Sequence, residues 1–247
     1  MQPEGVKDKK KLTLGIETSS RICSAAVLYD NGASDEISED AGITHSDILV
    51  SIIDELLERN GISVRDLKGI AVGTGPGSFT GIRIGVSFAR ALSQCAGLPV
   101  TGINSIDGLA NNMAGDKSVK DGDWVCPAIN AMRGEVYTAI YRKKKGGIVR
   151  GTGYVIIKIE ELVHKLKKTH KVFMLGDAVD IHEAVIKKGL KNFLLVEKKR
   201  YPSALSVASM GTREFGGRKA FNYNRVLPTY IREPEAEVKW KKTRNLN

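Results

Sequence analysis

The chain has 247 residues, with 38 Lys and Arg against 28 Asp and Glu for a formal net charge of +10. That length suits one large domain or two small lobes, and either can bury a sizeable core. No apolar run approaches the roughly 18 residues that span a bilayer, which excludes a helical membrane protein. The opening MQPEGVKDKKK is basic but runs into only a short apolar strand, so no signal peptide is expected. Cys23, Cys95 and Cys126 stand far apart and outside any CxxC pair, as reduced, mostly buried thiols of a cytosolic protein would.

In chain order, residues 12–18 and 22–29 read as two strands joined by the polar turn Ser19-Ser20-Arg21. Asn31-Gly32 signals a hairpin, with 33–38 returning as a third strand. A helix over 44–60 is capped by Thr44 or Ser46 and closed by Asn60-Gly61. A buried strand at 67–73, a helix at 79–96 ended by Gly97 and Pro99, and a strand at 100–103 follow. After a helix and polar linker over 106–123, a second strand-turn-strand unit spans 124–130 and 135–142, with a hairpin end at 143–147. Helices at 158–168, 179–188 and 203–215 and strands at 171–176 and 193–197 complete the pattern. Strands alternating with helices after each initial hairpin predict an α/β protein of two similar lobes, 12–105 and 106–247, behind a basic tail of residues 1–11.

Two helices carry more than a core stripe requires. In the helix over 44–60, Ile48, Leu49, Val50, Ile52, Ile53, Leu56 and Leu57 sweep an arc of about 200°, where a surface helix needs only about 100°. Val50, Ile53 and Leu57 form one flank, and Ile48, Ile52 and Leu56 the other. One flank is expected on the home sheet and the other on a partner. In the next helix Gly81, Gly85, Ala89, Ser93 and Gly97 recur every fourth residue, a small-residue stripe where another helix can approach.

The stretch GTGPGSFTGIRIG, residues 73–85, lies at a strand-to-helix junction, where free N–H groups and the helix dipole favour an anion. Ser78 and Thr80 add hydroxyls. A Walker A loop would end in Gly-Lys-Ser/Thr, whereas Thr80-Gly81-Ile82-Arg83 stands here, and the dinucleotide fingerprint is absent. The loop therefore reads either as a phosphate cradle or as a turn and cap for close packing. Glu17, at a strand end, could hold a metal-bound phosphate or cap its own turn. His45, His164, His170 and His182 form no HxxxH or HExxH, so no zinc motif is present, and no acid/base or nucleophile constellation emerges. The lysine clusters at 7–11, 142–145, 165–171, 187–191, 198–200 and 239–244 read as solvated surface or as weak attraction to an RNA backbone.

Taken together, these pieces resemble the TsaB family of bacterial tRNA threonylcarbamoyladenosine biosynthesis. The matching stretches are 14–19 (LGIETS), 44–46 (THS), 70–85, Asn104-Ser105, 130–137 (NAMRGEVY), 176–178 (GDA), 202–204 (PSA) and 228–232 (PTYIR). The match is most specific over 12–105. Asn130 departs from the family's usual aspartate, and residues 1–11 lie outside it.

The resemblance implies the two-lobed ASKHA fold of actin, Hsp70 and sugar kinases, with ribonuclease H-like lobes. It also sets Asn104 to Leu109 against the Asn-His-x-Glu-Gly-His stretch with which the catalytic paralogue TsaD holds a metal. Ser105 and Leu109 cannot supply imidazole, so the resemblance implies a cytoplasmic, non-catalytic scaffold, with no metal site and no tightly bound cofactor. Glu17, Thr18, Ser19, Gly75, Gly77, Ser78 and Thr80 would be a vestigial or weak nucleotide site, for ATP or ADP with Mg in the assembled complex. His45, Ile48, Leu49, Ile52, Ile53, Leu56, Gly81, Gly85, Phe88 and Ala89 would form the partner interface. Implied partners are a TsaD-like catalytic subunit, a TsaE-like ATPase, tRNA through the complex and, in isolation, a second copy of the chain; no membrane is implied. The alternative is an ASKHA-type phosphotransferase or ATPase that uses Glu17 and Gly75 to Ser78 on Mg-ATP.

Overall fold

Strand β1 (Leu12–Glu17) is buried at every position. Alternation explains how: Leu12, Leu14 and Ile16 enter one core, while Thr13, Gly15 and Glu17 point to the opposite face. Residues 12–42, 45–197, 199–215 and 222–231 are described in this computed structural model. The expected cap at Thr44, the tail 1–11 and the cluster 239–244 lie outside them.

Strands β2 (Ile22–Tyr29) and β3 (Ser34–Asp40) continue from β1 as an antiparallel meander. Helix α1 (His45–Arg59) then crosses over to β4 (Leu67–Gly73), parallel to β1, and α2 (Phe79–Ala96) crosses to β5 (Val100–Ile103), parallel to β4. The sheet order is β3-β2-β1-β4-β5.

Helix α3 (Ser105–Asn111) leads into a second unit. It comprises β6 (Trp124–Asn130), β7 (Glu135–Thr138), β8 (Tyr141–Lys144), β9 (Gly147–Arg150), β10 (Val155–Lys158), α4 (Ile159–Leu166), β11 (Val172–Leu175), α5 (Asp177–Ile181), α6 (Glu183–Gly189) and β12 (Phe193–Leu195), followed by α7 (Ala204–Glu214). The second sheet runs β10-β7-β6-β11-β12, with β8 pairing β6 and β9. Antiparallel hairpin first and parallel crossovers after, it repeats the first sheet.

The expected strand 135–142 is broken into β7 and β8 because of its partner. Pro127 in β6 has no N–H to offer the ladder. There the Thr138 hydroxyl donates to Pro127 O at 2.6 Å, and Ile140 turns away to Thr152 Oγ1 at 2.9 Å. The expected helix 179–188 divides at His182, whose φ of −114° leaves the helical range.

Three expectations change on packing. First, residues placed with the second lobe return to the first: α7 covers the open face of the first sheet. Gly15 makes this possible, since a Cβ there would collide with Ala204 O, and Thr13 Oγ1 meets Thr212 Oγ1 at 2.6 Å. Val226 joins the first core as well.

Second, α1 does not divide its apolar arc between two surfaces. His45, Leu49, Ile52, Ile53 and Leu56 form one buried face at the i, i+4, i+7, i+8, i+11 spacing. Ile48 and Leu57 are half-buried margins, and Val50, 54% exposed, stands outside. The interface assigned to Leu49, Ile52, Ile53 and Leu56 is thus corrected, because these side chains are spent on their own lobe. His45 is sealed too, with Nε2 2.8 Å from Ser20 O.

Third, the glycines that begin the small stripe of α2 face a turn and not a partner helix. Cβ atoms at Gly81 and Gly85 would collide with Thr18 O and Thr18 Oγ1, and the Thr18 hydroxyl donates to Gly81 O at 2.8 Å. Ala89 is fully buried, and Phe88 packs half-buried on the same core. Here the stripe admits the β1–β2 turn.

An aspartate at position 52 or 53 would bury an unpaired carboxylate in that core. Ile52→Asp and Ile53→Asp are each expected to cost about 4 kcal/mol or more. Thermal unfolding by circular dichroism checks this: both variants should melt far below the parent, and wild-type melting of either would contradict the burial described.

Candidate functional site

Four strand ends face one another between the lobes. From the first lobe come the turn after β1 (Thr18 to Arg21) and the loop after β4 (Thr74 to Ser78). From the second come the turn after β6 (Ala131 to Gly134) and the junction of β11 with α5 at Gly176. They enclose a cleft of about 340 Å³ that Ser19, Gly77, Ser78, Asn130, Met132 and Asp177 help to line. A crevice beyond the carboxyl ends of parallel strands is where open α/β sheets bind ligands.

The glycine loop is nevertheless largely committed to holding itself. Ser78 N–H donates to Ser19 O at 2.6 Å, Gly75 N–H to Ser105 Oγ at 3.1 Å, and Thr74 N–H to Ile103 O at 2.8 Å. Ser78 Oγ caps α2 by accepting from Gly81 N–H at 3.2 Å. Gly77, at φ +152°, lies so close to the neighbouring turn that a Cβ would collide with Ser19 O. From outside, Thr229 N–H donates to Thr74 O at 2.7 Å and seals the loop's back. Thr80 is exposed on the first turn of α2.

Glu17 is not in the cleft. It is fully buried: its Oε1 accepts from Ser19 N–H at 2.7 Å and its Oε2 from Ser105 Oγ at 3.0 Å. Gly73 packs flat against the carboxylate. Burial raises the Glu17 pKa above its ordinary value of 4.5, and the Ser19 and Ser105 hydrogen bonds oppose that rise only in part. Both oxygens are engaged and neither lines the cleft, so Glu17 does not fit a Mg-phosphate ligand. Leu109, by contrast, is an apolar wall of the cleft, packed in the core beneath.

One polar group does point to a ligand. Ser19 is 2% exposed and lines the cleft, and its Oγ makes no hydrogen bond of regular geometry, its nearest polar influence being on the Glu17 carboxylate behind it. Opposite it, Asp177 Oδ1 accepts from Asn130 N–H at 2.9 Å, and burial raises the Asp177 pKa against that bond. Asn130 Oδ1 in turn accepts from Met132 N–H at 2.9 Å. This bond shapes a turn with Met132 at φ 63° and Arg133 at φ 57°, left-handed values that ordinary side chains seldom adopt. Among the described residues, no group of three or more His, Cys, Asp or Glu could hold a metal ion.

Of the nucleotide-site expectations, the structure brings Ser19, Gly77 and Ser78 to the cleft and turns Glu17, Thr18 and Gly75 inward. Sequence reasoning did not single out Asp177 or the Met132 turn as cleft residues. Gly176-Asp177 after a strand was the available signal for the first. For the second there was none, since Met-Arg does not advertise positive φ.

Two lobes, each with a mixed sheet in the same 3-2-1-4-5 order and a cleft where their strands end, define the ASKHA class. Residues 37–240 match the family described as TsaD: tRNA N6-adenosine threonylcarbamoyltransferase. The tRNA threonylcarbamoyladenosine biosynthesis protein TsaB of Buchnera aphidicola subsp. Schizaphis graminum is 30% identical, over 79% of this chain and 90% of its own. Its Bacillus subtilis counterpart is 28% identical over 92% of this chain and 96% of its own. A Pseudomonas aeruginosa structure described as similar to peptidase YEAZ superposes with a TM-score of 0.76 at 22% identity, over 90% of this chain and all of that one. The chain belongs to the TsaD family, in its TsaB branch. Among the described residues no helix is long and apolar enough to cross a membrane.

The raised pKa of Glu17 has a consequence of definite sign. A carboxyl whose folded pKa exceeds its unfolded value adds stability below the unfolded pKa and loses it as pH rises through the folded one. Glu17→Gln keeps an acceptor for the Ser19 N–H and turns an amide N–H toward Ser105 Oγ in place of the acceptor, without the ionisation. Its melting temperature should match the parent's near pH 4.5 and exceed it at pH 8. A parent that is more stable than the variant at pH 8 would show that the hydrogen bonds outweigh desolvation.

Proposed function

We propose that the chain acts in tRNA threonylcarbamoyladenosine biosynthesis, as its named relatives do, as a non-catalytic subunit supporting a TsaD-type transferase. One observation carries this. Where the transferase is expected to place two metal-binding histidines, this chain has Ser105, whose hydroxyl serves Glu17 and Gly75, and Leu109, which belongs to the core. The site's polar chemistry has been turned inward to hold the fold together. What remains outward is surface.

The docking surface is the outer side of α2, with its neighbours. Phe79 and Tyr230 stack at 5.2 Å, and the Arg83 guanidinium lies 3.7 Å from the Phe79 ring centre. Phe79 and Tyr230 are over a third exposed, and Ser87, Ala91 and Gln94 continue the exposed face without a charge. Aromatic and arginine anchors beside a small uncharged stripe are what a protein interface concentrates. The same face would serve a second copy of the chain when no transferase subunit is present. A TsaE-like ATPase and tRNA would join through the assembled complex, and any ATP or ADP would be held there rather than by this chain alone.

A phosphotransferase is the second reading, favoured by the Ser19 hydroxyl in the cleft, which makes no regular hydrogen bond. Among the described residues it lacks a carboxylate free to hold magnesium on the first-lobe side of the cleft, since Glu17 is buried and engaged.

Ser87→Arg and Ala91→Arg should each leave thermal unfolding within about 0.5 kcal/mol of the parent, as exposed substitutions do. Each should weaken association with the TsaD-type subunit at least tenfold in calorimetric titration. Undiminished association would remove α2 as the docking face, and steady ATP turnover by the isolated chain would favour the second reading.

A further inference from the structure

The two lobes differ sharply in charge. Residues 12–105 carry six Lys or Arg against eleven Asp or Glu, whereas residues 106–200 carry nineteen against eleven. The first lobe turns acidic groups outward, with Asp47, Asp54, Glu55 and Glu58 exposed along α1. The second places one group of its lysines where α4 and α6 end side by side. Gly189 permits that approach, because a Cβ there would collide with Val163 of α4.

The two helix ends enclose a hollow of about 420 Å³, lined by Lys167, Lys188 and Lys191 together with Thr169 and Asn192. None of these three ammonium groups makes an ion pair or a hydrogen bond among the described residues, and no carboxylate or aromatic ring lines the hollow. The nearby Lys165 and Lys187 are already paired with Glu161 and Glu183. Nor are the three ammonium groups needed to cap the helices. Lys167 N–H donates to His164 O, Thr169 N–H and Oγ1 both donate to Leu166 O, and Leu190 N–H donates to Ile186 O. Three uncommitted cations thus converge from two elements on one concave surface.

We propose that this hollow is a contact for the phosphate backbone of RNA, placing the nucleic acid on the second lobe and away from the first. The proposal rests on the tRNA-modification reading for the identity of the RNA, but its geometry is independent of the α2 face. A protein partner would require exposed apolar or aromatic anchors, whereas Leu166 and Leu190 at the floor of the hollow are 1% and 5% exposed, and lysine is depleted at such interfaces. A phosphate chain requires only cations, and the acidic first lobe repels it from that side of the molecule.

The test uses the full chain and a fluorescently labelled tRNA transcript, with binding followed by anisotropy between 50 and 200 mM salt. Neutralising three phosphate contacts contributes a slope of roughly 2 to 3 log units of affinity per log unit of salt. The combined variant Lys167→Gln, Lys188→Gln and Lys191→Gln should lose that share of the slope. It should also bind the transcript about tenfold or more weakly at 100 mM salt, while melting like the parent.

A control removes the same charge from the first lobe, by Arg59→Gln, Arg65→Gln and Lys68→Gln, and should retain the slope. An unchanged slope in the second-lobe variant would overturn the proposal. Equal loss in the control would also overturn it, by showing that only net charge matters. So would binding to phosphatidylglycerol vesicles that depends on these lysines when tRNA binding does not. Titration of the same variant with the TsaD-type subunit separates the two readings. Retained association with lost RNA binding supports both, whereas a parent chain that never associates defeats the scaffold reading and leaves the RNA contact to its own result.

Discussion

The buried carboxylate of Glu17 ties together the elements that shape the first-lobe side of the cleft. Its two oxygens collect the Ser19 N–H from the turn after β1 and the hydroxyl of Ser105 at the start of α3. Ser105 then receives the Gly75 N–H and returns its own N–H to Gly75 O at 2.8 Å, so the glycine loop closes on the same point. β1, the loop, α2 through its Ser78 cap and α3 are positioned by one desolvated acid. That cost is tolerated because partially satisfying a buried carboxylate is far cheaper than leaving it unpaired.

From that arrangement the division of the cleft follows. A phosphate loop works by leaving N–H groups free at a helix N-terminus. Here Thr74, Gly75 and Ser78 have given theirs to protein acceptors, and Thr229 has occupied the loop's outer carbonyl. The loop keeps its place at a strand-to-helix junction, while these three donors serve as internal struts. Among the buried side-chain atoms of the described residues, Ser19 Oγ is the one in the cleft without a regular hydrogen bond.

A comparable network ties α3 to the second lobe. Asp107 accepts from Tyr141 OH at 2.6 Å and from Tyr154 OH, and Arg150 lies 3.4 Å away. Burial together with the Asp107 charge pushes the pKa of both Tyr141 and Tyr154 well above the ordinary phenol value, so both stay protonated donors at any physiological pH. With α7 and Val226 returning to the first lobe, two separate stretches of chain hold the lobes in register. A subunit that presents a fixed surface benefits from that rigidity, because ordering costs are met before binding.

The alternation of LTLGIE, the Asn31-Gly32 turn, the Ser78 cap and the Gly97 stop are local signals, and from them the elements and their α/β order were legible in sequence alone. So was the absence of imidazole at 105 and 109. The direction in which each apolar or small residue would face was not. The arc over Ile48 to Leu57 is compatible with one buried face or two, and the tertiary structure decided for one because β2 and α2 both pack on α1. The Gly81–Gly85 stripe records only that something comes close; that Thr18, rather than a helix, does so depends on a contact 63 residues away in sequence. The break in the strand after Thr138 belongs to Pro127 on its neighbour. The meeting of Lys167 with Lys188 and Lys191 depends on how closely α4 and α6 pack. Helix periods and turn residues act within a few positions, whereas the choice of neighbour is made by burial across the whole chain, and that is what the folded protein alone contains.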